Sequence, residues 1–154
     1  MISKPTSAQL LQTIKSELND KIAPALNDPT HVVAIGMIGA ILDQLSIRAE
    51  SEIAFIVDEV AAVEQAAAVY VKANPRAVEV GDALKVLRQQ KTTSLHLSHL
   101  LPSYNAASDV LSAMADAAYA GGDSTEIRKV EELVEHRLRN EMTIVGSFIA
   151  VGRD

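Results

Sequence analysis

No proline falls between Pro29 and Pro75, and through that span the apolar residues hold one helical phase. At about 100° per residue, Ile35, Ile38, Leu42, Leu45, Ala49, Ile53, Ile56, Val60, Val63 and Ala67 stay in one sector, where a strand would alternate. A continuous helix over residues 30–72 would extend about 64 Å at 1.5 Å per residue, against a radius of gyration of about 15 Å for a compact domain of this length. Such a helix must bend, break or be covered by a partner subunit. Ser and charged residues cluster over residues 46–51, the place where any interruption is expected. With no Gly or Pro in that cluster to force it, the expectation is one long, bent, alanine-rich central helix.

The flanking segments carry their own start and stop signals. Thr6 followed by Gln9 is a capping-box pattern, and Leu10, Leu11, Ile14, Leu18 and Ile22 then recur at helical spacing, which predicts a helix over residues 7–23 closed by Pro24. Asp28 and Pro29 read as the cap and first position of the long helix. After a connector marked by Asn74, Pro75 and Gly81, Asp82 is placed to cap a helix carrying Leu84, Leu87, Leu95 and Leu101, with Pro102 ending it. Pro102 and Ser103 then open an amphipathic helix, with Tyr104, Ala107, Leu111, Met114 and Ala118 opposite Asn105, Asp109, Ser112 and Asp116. Gly121 and Gly122 stop it. Asp123 or Ser124 caps a last helix that should bury Ile127, Val130, Leu133, Val134, Leu138, Ile144, Val145 and Phe148. The fold expected is all-α, a single-domain bundle of five to six helices spanning residues 1–154.

Composition narrows the functional classes. With 154 residues the chain is long enough for one self-sufficient core, and the absence of Cys removes disulfides and thiolate metal sites. A net charge of −6 opposes binding to phosphate backbones, and the cations of the last helix are interleaved with Glu131, Glu132 and Glu135. No Trp, two Phe and three Tyr leave little aromatic surface for stacking bases. The longest uncharged apolar runs, residues 32–42 and 142–152, hold 11 residues each, against roughly 20 needed to span a bilayer. They are expected to be core segments. No signal-peptide pattern opens the chain, and a reducing cytoplasm is the expected compartment.

The run Lys4-Pro5-Thr6-Ser7-Ala8-Gln9-Leu10-Leu11, then Ile22-Ala23-Pro24-Ala25-Leu26 and the alanine-rich helix, resembles a bacterial family of helical domains without an assigned function. Members of that family tend to be encoded near aminoglycoside-phosphotransferase-like and acyl-CoA-dehydrogenase-like proteins. The resemblance covers mainly the first half of the chain and implies an accessory role in small-molecule or acyl metabolism. It carries over no functional residue.

Four charged residues interrupt the apolar stripes. Glu64 falls between Val57 and Val60 on the helical wheel, Lys91 between Leu84 and Leu87, and Arg137 and Glu141 flank Val130 and Ile144. An isolated buried charge is too costly to keep, so these two cations and two anions are expected to find one another or reach water. Two readings stand. Either the four form a closed structural network fixing helix register, or they line an inter-helix pocket in which Arg137 or Lys91 grips a carboxylate or phosphate. His96 and His99 lie three apart but off the apolar face, Glu132 and His136 lack the spacing of a di-iron motif, and no metal or other cofactor is expected. Gly36 and Gly39 read as positions of close helix crossing, because they lie mid-helix, where a phosphate loop cannot form.

The long helix is also apolar on a second sector, through Val33, Met37, Phe55, Ala62 and Val69. That predicts either a central helix buried within one chain or one shared in a homodimer, the latter being favoured. The functional expectation is a non-enzymatic accessory protein binding a partner protein or a small anionic metabolite. The alternative is a small-molecule enzyme using Glu64 or Glu141 as general base beside Arg137 or Lys91.

Overall fold

A computed structural model describes residues 4–145, so Phe148 and most of the apolar run over 142–152 lie outside the described residues. Among these residues there are five α-helices and no strand. They are α1 (Ser7–Glu17), α2 (Pro29–Ala73), α3 (Val78–Gln90), α4 (Leu97–Gly121) and α5 (Ser124–Val145). The chain is an all-α bundle built on one long, alanine-rich helix.

The start signals act as their chemistry dictates. The Thr6 hydroxyl accepts from the Gln9 amide at 3.3 Å, and the Gln9 side chain accepts from the Thr6 amide at 2.9 Å, closing the capping box. Asp28 accepts from the Thr30 amide at 2.8 Å at the head of α2, and Asp123 accepts from the Thr125 amide at 2.8 Å at the head of α5. Gly122 ends α4 in the left-handed region at φ 67°, which a residue lacking Cβ adopts without strain.

Two boundaries depart from expectation, those at Pro24 and Pro102. The first helix does not run on to residue 23. It ends at Glu17, widens into a π-helical turn over Leu18–Ile22 and tightens into a 3₁₀ turn over Ala23–Ala25. Pro24 explains this, since its ring would clash with the carbonyl of Asp20 in a regular α-turn; instead the Ala23 amide reaches back five residues to Leu18. The α2 helix is one long element, as expected, and runs unbroken through residues 46–51. Pro102, finally, does not separate two helices. The break falls earlier, where Thr92 and Ser94 hydroxyls take the Ser94 and His96 amides at 3.1 and 3.3 Å and draw the backbone away from helix. Asp82 accordingly lies inside α3, bonded to Lys85, and Pro102 lies inside α4.

Contacts divide the chain into two compact units, residues 1–52 with 141–154 and residues 53–140. The second unit holds the hydrophobic core. Val60, Val63 and Ala67 of α2 meet Val80, Leu84 and Leu87 of α3, Val110 and Met114 of α4, and Val130 of α5, all buried. In α5 the burial is narrower than the periodicity implied, for Val134, Leu138 and Val145 remain about half exposed.

The first unit is built differently. Among its described residues only Ala8, Gly39 and Ser46 are buried, and none of these has a large apolar side chain. Polar contacts tie its parts together. The Lys15 ammonium meets Asp43 at 2.6 Å, Gln12 donates to the same carboxylate at 3.1 Å, and Ser46 donates to the Ala8 carbonyl at 3.3 Å. Gln44 donates to the Val145 carbonyl at 2.7 Å. Ile38 and Leu45, expected to face a core, are exposed, and Ile35 and Leu42 are only half-buried, so the apolar sector of α2 is fully buried only from Ile56 onward. By length and composition α2 also suffices to cross a membrane, with a segment of mean hydropathy 1.6 that is 11% buried. Counting uncharged runs alone missed this, because Asp43 interrupts the apolar stretch without ending it.

Candidate functional site

Of the charged residues picked out by their helical phase, Glu64, Lys91 and Arg137 lie in the second unit and Glu141 in the first. Glu64 and Lys91 do meet, with the Lys91 ammonium 2.7 Å from one carboxylate oxygen of Glu64, while Arg88 of α3 reaches the other oxygen at 3.0 Å. Both cations are about half exposed, and Glu64 is 20% exposed. Lys91 is therefore no inward residue of a helix. It sits just past the end of α3 in extended backbone and leans back over the rim. Hydrogen bonding from Lys91, and then from Arg88, holds the Glu64 carboxyl below the usual carboxylate range against the opposing effect of burial.

Arg137 takes a different partner. Its guanidinium lies 3.3 Å from Glu59 of α2, whose side chain is only 6% exposed, and stacks 4.7 Å over the Tyr104 ring of α4. Glu141, expected in the same layer, is exposed and belongs to the first unit, whereas Glu64, Lys91 and Arg137 belong to the second. Periodicity missed Glu59, although the signal was present. Glu59 stands three residues after Ile56 and four before Val63, squarely in the buried stripe. Arg88 stood four after Leu84 and was legible in the same way.

A cavity of about 360 Å³ opens in the second unit between α2, α4 and α5. Ala62, Ala66 and Val69 form one wall, Tyr70 and Met114 the floor, and Leu133 the far side. Glu126, Lys129 and Glu132 stand on its α5 rim. None of the four sequence-selected charges lines it; Glu64 closes on Lys91 and Arg88, and Arg137 on Glu59, instead. His96 and His99 pack edge to face with ring centroids 5.4 Å apart, and His99 Nδ1 lies 2.9 Å from the Ser94 hydroxyl. Among the described residues no group of three or more His, Asp or Glu is arranged to hold a metal ion.

No family model, curated protein or solved structure matches the chain.

Proposed function

We propose that this chain is a non-enzymatic helical accessory protein that works as a homodimer, with the first unit as its assembly surface. The observation that carries the reading is the state of α1 and the first part of α2. Leu10, Ile14, Val33, Met37, Ile41 and Leu45 are all more than 40% exposed, in a unit that buries no large apolar side chain among its described residues. Apolar surface contributes roughly 25 cal/mol per Å² when removed from water, so a helix this bare is stabilised by whatever covers it. A second copy brings the same apolar helix, and isologous pairing buries both at once.

Gly36 adds to this. It lies mid-helix with nothing within 4 Å of the position a Cβ would occupy. Glycine there costs about 1 kcal/mol relative to Ala and gains nothing within the chain, whereas a helix crossing at Gly36 would use the room.

A bilayer is the competing cover for α2. Asp43 weighs against it, because from residue 29 to Asp43 the helix rises only about 21 Å at 1.5 Å per residue, short of a hydrocarbon core of about 30 Å. Asp43 is also committed to Lys15 and Gln12 of α1, and spanning would strip water from that pair. The favoured compartment is the cytoplasm.

The enzyme alternative is disfavoured by the closure of Glu64 on Lys91 and Arg88 and of Arg137 on Glu59, away from the cavity. A small-anion ligand is disfavoured for the same reason, which leaves a protein partner as the object of the accessory role. Sedimentation velocity on the full chain at micromolar concentration, with and without liposomes, tests the reading. A dimer that Met37→Glu and Ile41→Glu dissociate is expected. A monomer at all concentrations, or co-sedimentation of the chain with liposomes, would retire the proposal.

A further inference from the structure

We infer that the cavity between α2, α4 and α5 of the second unit is a binding site for a hydrophobic primary amine, an alkyl or aryl body bearing one ammonium group. At about 360 Å³ it falls within the range of roughly 300–1,000 Å³ occupied by small-molecule sites. Its body is apolar. Ala62 and Ala66 leave room that larger side chains would fill, Met114 and Tyr70 close the floor, and Val69 stands 58% exposed at the edge. From Ala62 to Ala73 the lined length of α2 is about 16 Å at 1.5 Å per residue, enough for an extended chain of eight carbons.

The sign of the head group follows from what already occupies the rim. The N-terminus of α5 would ordinarily attract an anion, but the Asp123 carboxylate fills that position, accepting from the Thr125 and Glu126 amides at 2.8 and 3.4 Å. Glu126 follows in the first turn with its side chain 18% exposed, and the exposed Glu132, which receives Arg128 on one oxygen at 3.3 Å, lines the cavity further along α5. The charged residues lining the cavity are thus two acids and one base, Glu126, Glu132 and Lys129, which disfavours an incoming carboxylate. An ammonium would meet acceptors with capacity to spare, since a carboxylate takes about four hydrogen bonds and Glu126 receives one from Lys129, at 2.8 Å on Oε1. Lys129 also lines the cavity and holds Glu126 Oε1, so an incoming ammonium must use the second oxygen of that carboxylate or displace a Lys129 side chain that is half exposed. The Tyr70 phenol reports the same acidic field from the floor, its pKa pushed up first by burial and then by Glu126 and Asp123.

Isothermal titration of the full chain with n-octylamine at neutral pH, against n-octanoate and 1-octanol, tests the assignment. Expected are saturable binding of octylamine at one site per chain and no saturable binding of octanoate. Two variants bear on the location. Glu126→Gln removes the acceptor and Ala66→Leu fills the cavity, and each is expected to weaken octylamine by about ten-fold or more. Circular dichroism and the thermal midpoint establish that each variant is folded. Octanoate binding as tightly as octylamine, or failure of octylamine to saturate, would overturn the inference. An affinity unchanged in Ala66→Leu would overturn it too, by locating the amine on the exposed apolar face of the first unit.

Discussion

Glu59 of α2 and Arg137 of α5 form an ion pair at 3.3 Å, with side-chain exposures of 6% and 22%. Removing one member leaves the other charged, buried and short of its counter-ion, so Arg137→Ala is expected to destabilise the chain by about 3–5 kcal/mol. Replacing both, as Glu59→Leu with Arg137→Met, removes the desolvation cost along with the attraction and should leave stability within about 1–2 kcal/mol of the parent. Urea denaturation of the two singles and the double forms a cycle. A change near zero for Arg137→Ala would mean that Glu59 is satisfied without it.

Glu64 sets an acid dependence with a definite sign. Its carboxyl titrates below the ordinary value of 4.5 in the folded chain because Lys91 and Arg88 bond the charged form. The folded state thus binds fewer protons than the unfolded chain, and the pair's contribution is fully present above the ordinary value. It is lost as pH falls through the lowered one. With both cations about half exposed, the loss in Glu64→Gln at pH 7 should be about 1 kcal/mol or less. The gap between the urea midpoints of parent and variant should narrow as pH is lowered from 7 to 3. A gap as wide at pH 3 as at pH 7 would show that Glu64 acts by packing and not by charge.

What the sequence made legible follows from which interactions are local. Caps at Thr6, Asp28 and Asp123 involve amides two or three residues away, and the Gly122 stop needs only its own backbone freedom, so all four read directly from the chain. Helical phase located Glu64 and Arg137 in the apolar stripes, but phase is blind to which charges meet across helices. Glu59 and Arg88 were therefore missed as partners, and Lys91 was assigned to a helix that had already ended. Phase also cannot tell a covered stripe from a bare one. Ile38 and Val63 occupy the same sector of α2, yet Ile38 is 43% exposed and Val63 is 1% exposed, a contrast set by whether α3, α4 and α5 pack against that stretch. The cavity over Met114 carried no sequence signal, because its apolar lining, Ala62, Ala66, Ala73, Val69 and Leu133, is ordinary helix sequence.

Gly36 and Gly39 separate the assembly proposal from simple helix stability. A Cβ at Gly39 would sit 3.8 Å from Lys15 Cε and Asn19 Oδ1, ordinary contact, while one at Gly36 meets nothing within 4 Å. Each Gly→Ala change should therefore stabilise α2 within the chain by up to about 1 kcal/mol. Their effects on association should differ. Gly36→Ala is expected to shift the monomer–dimer equilibrium toward monomer by about ten-fold, if a partner helix crosses there, and Gly39→Ala to leave it unchanged. Concentration-dependent sedimentation reads this out, and equal dimer affinities for both variants would remove Gly36 from the interface.

Pro102 sits at the sixth position of α4, past the first turn in which proline is harmless. It has no amide to offer the Ser98 carbonyl, and its ring crowds that oxygen, a combination that costs a helix interior about 3 kcal/mol. The ring lies on the exposed side of α4, between the exposed Leu101 and the buried Ser103, so it contributes no core packing in return. Ser103 donates its hydroxyl to the Leu100 carbonyl at 2.8 Å, one turn-local bond that does not reach Ser98. Pro102→Ala restores the missing donor, and against this the unfolded chain regains about 0.4–1 kcal/mol of conformational freedom. Net stabilisation of about 1–2 kcal/mol is expected from guanidinium denaturation. Destabilisation instead would mean that the ring fixes where α4 begins, and hydrogen exchange at the Leu100 to Leu101 amides would then speed up in the variant.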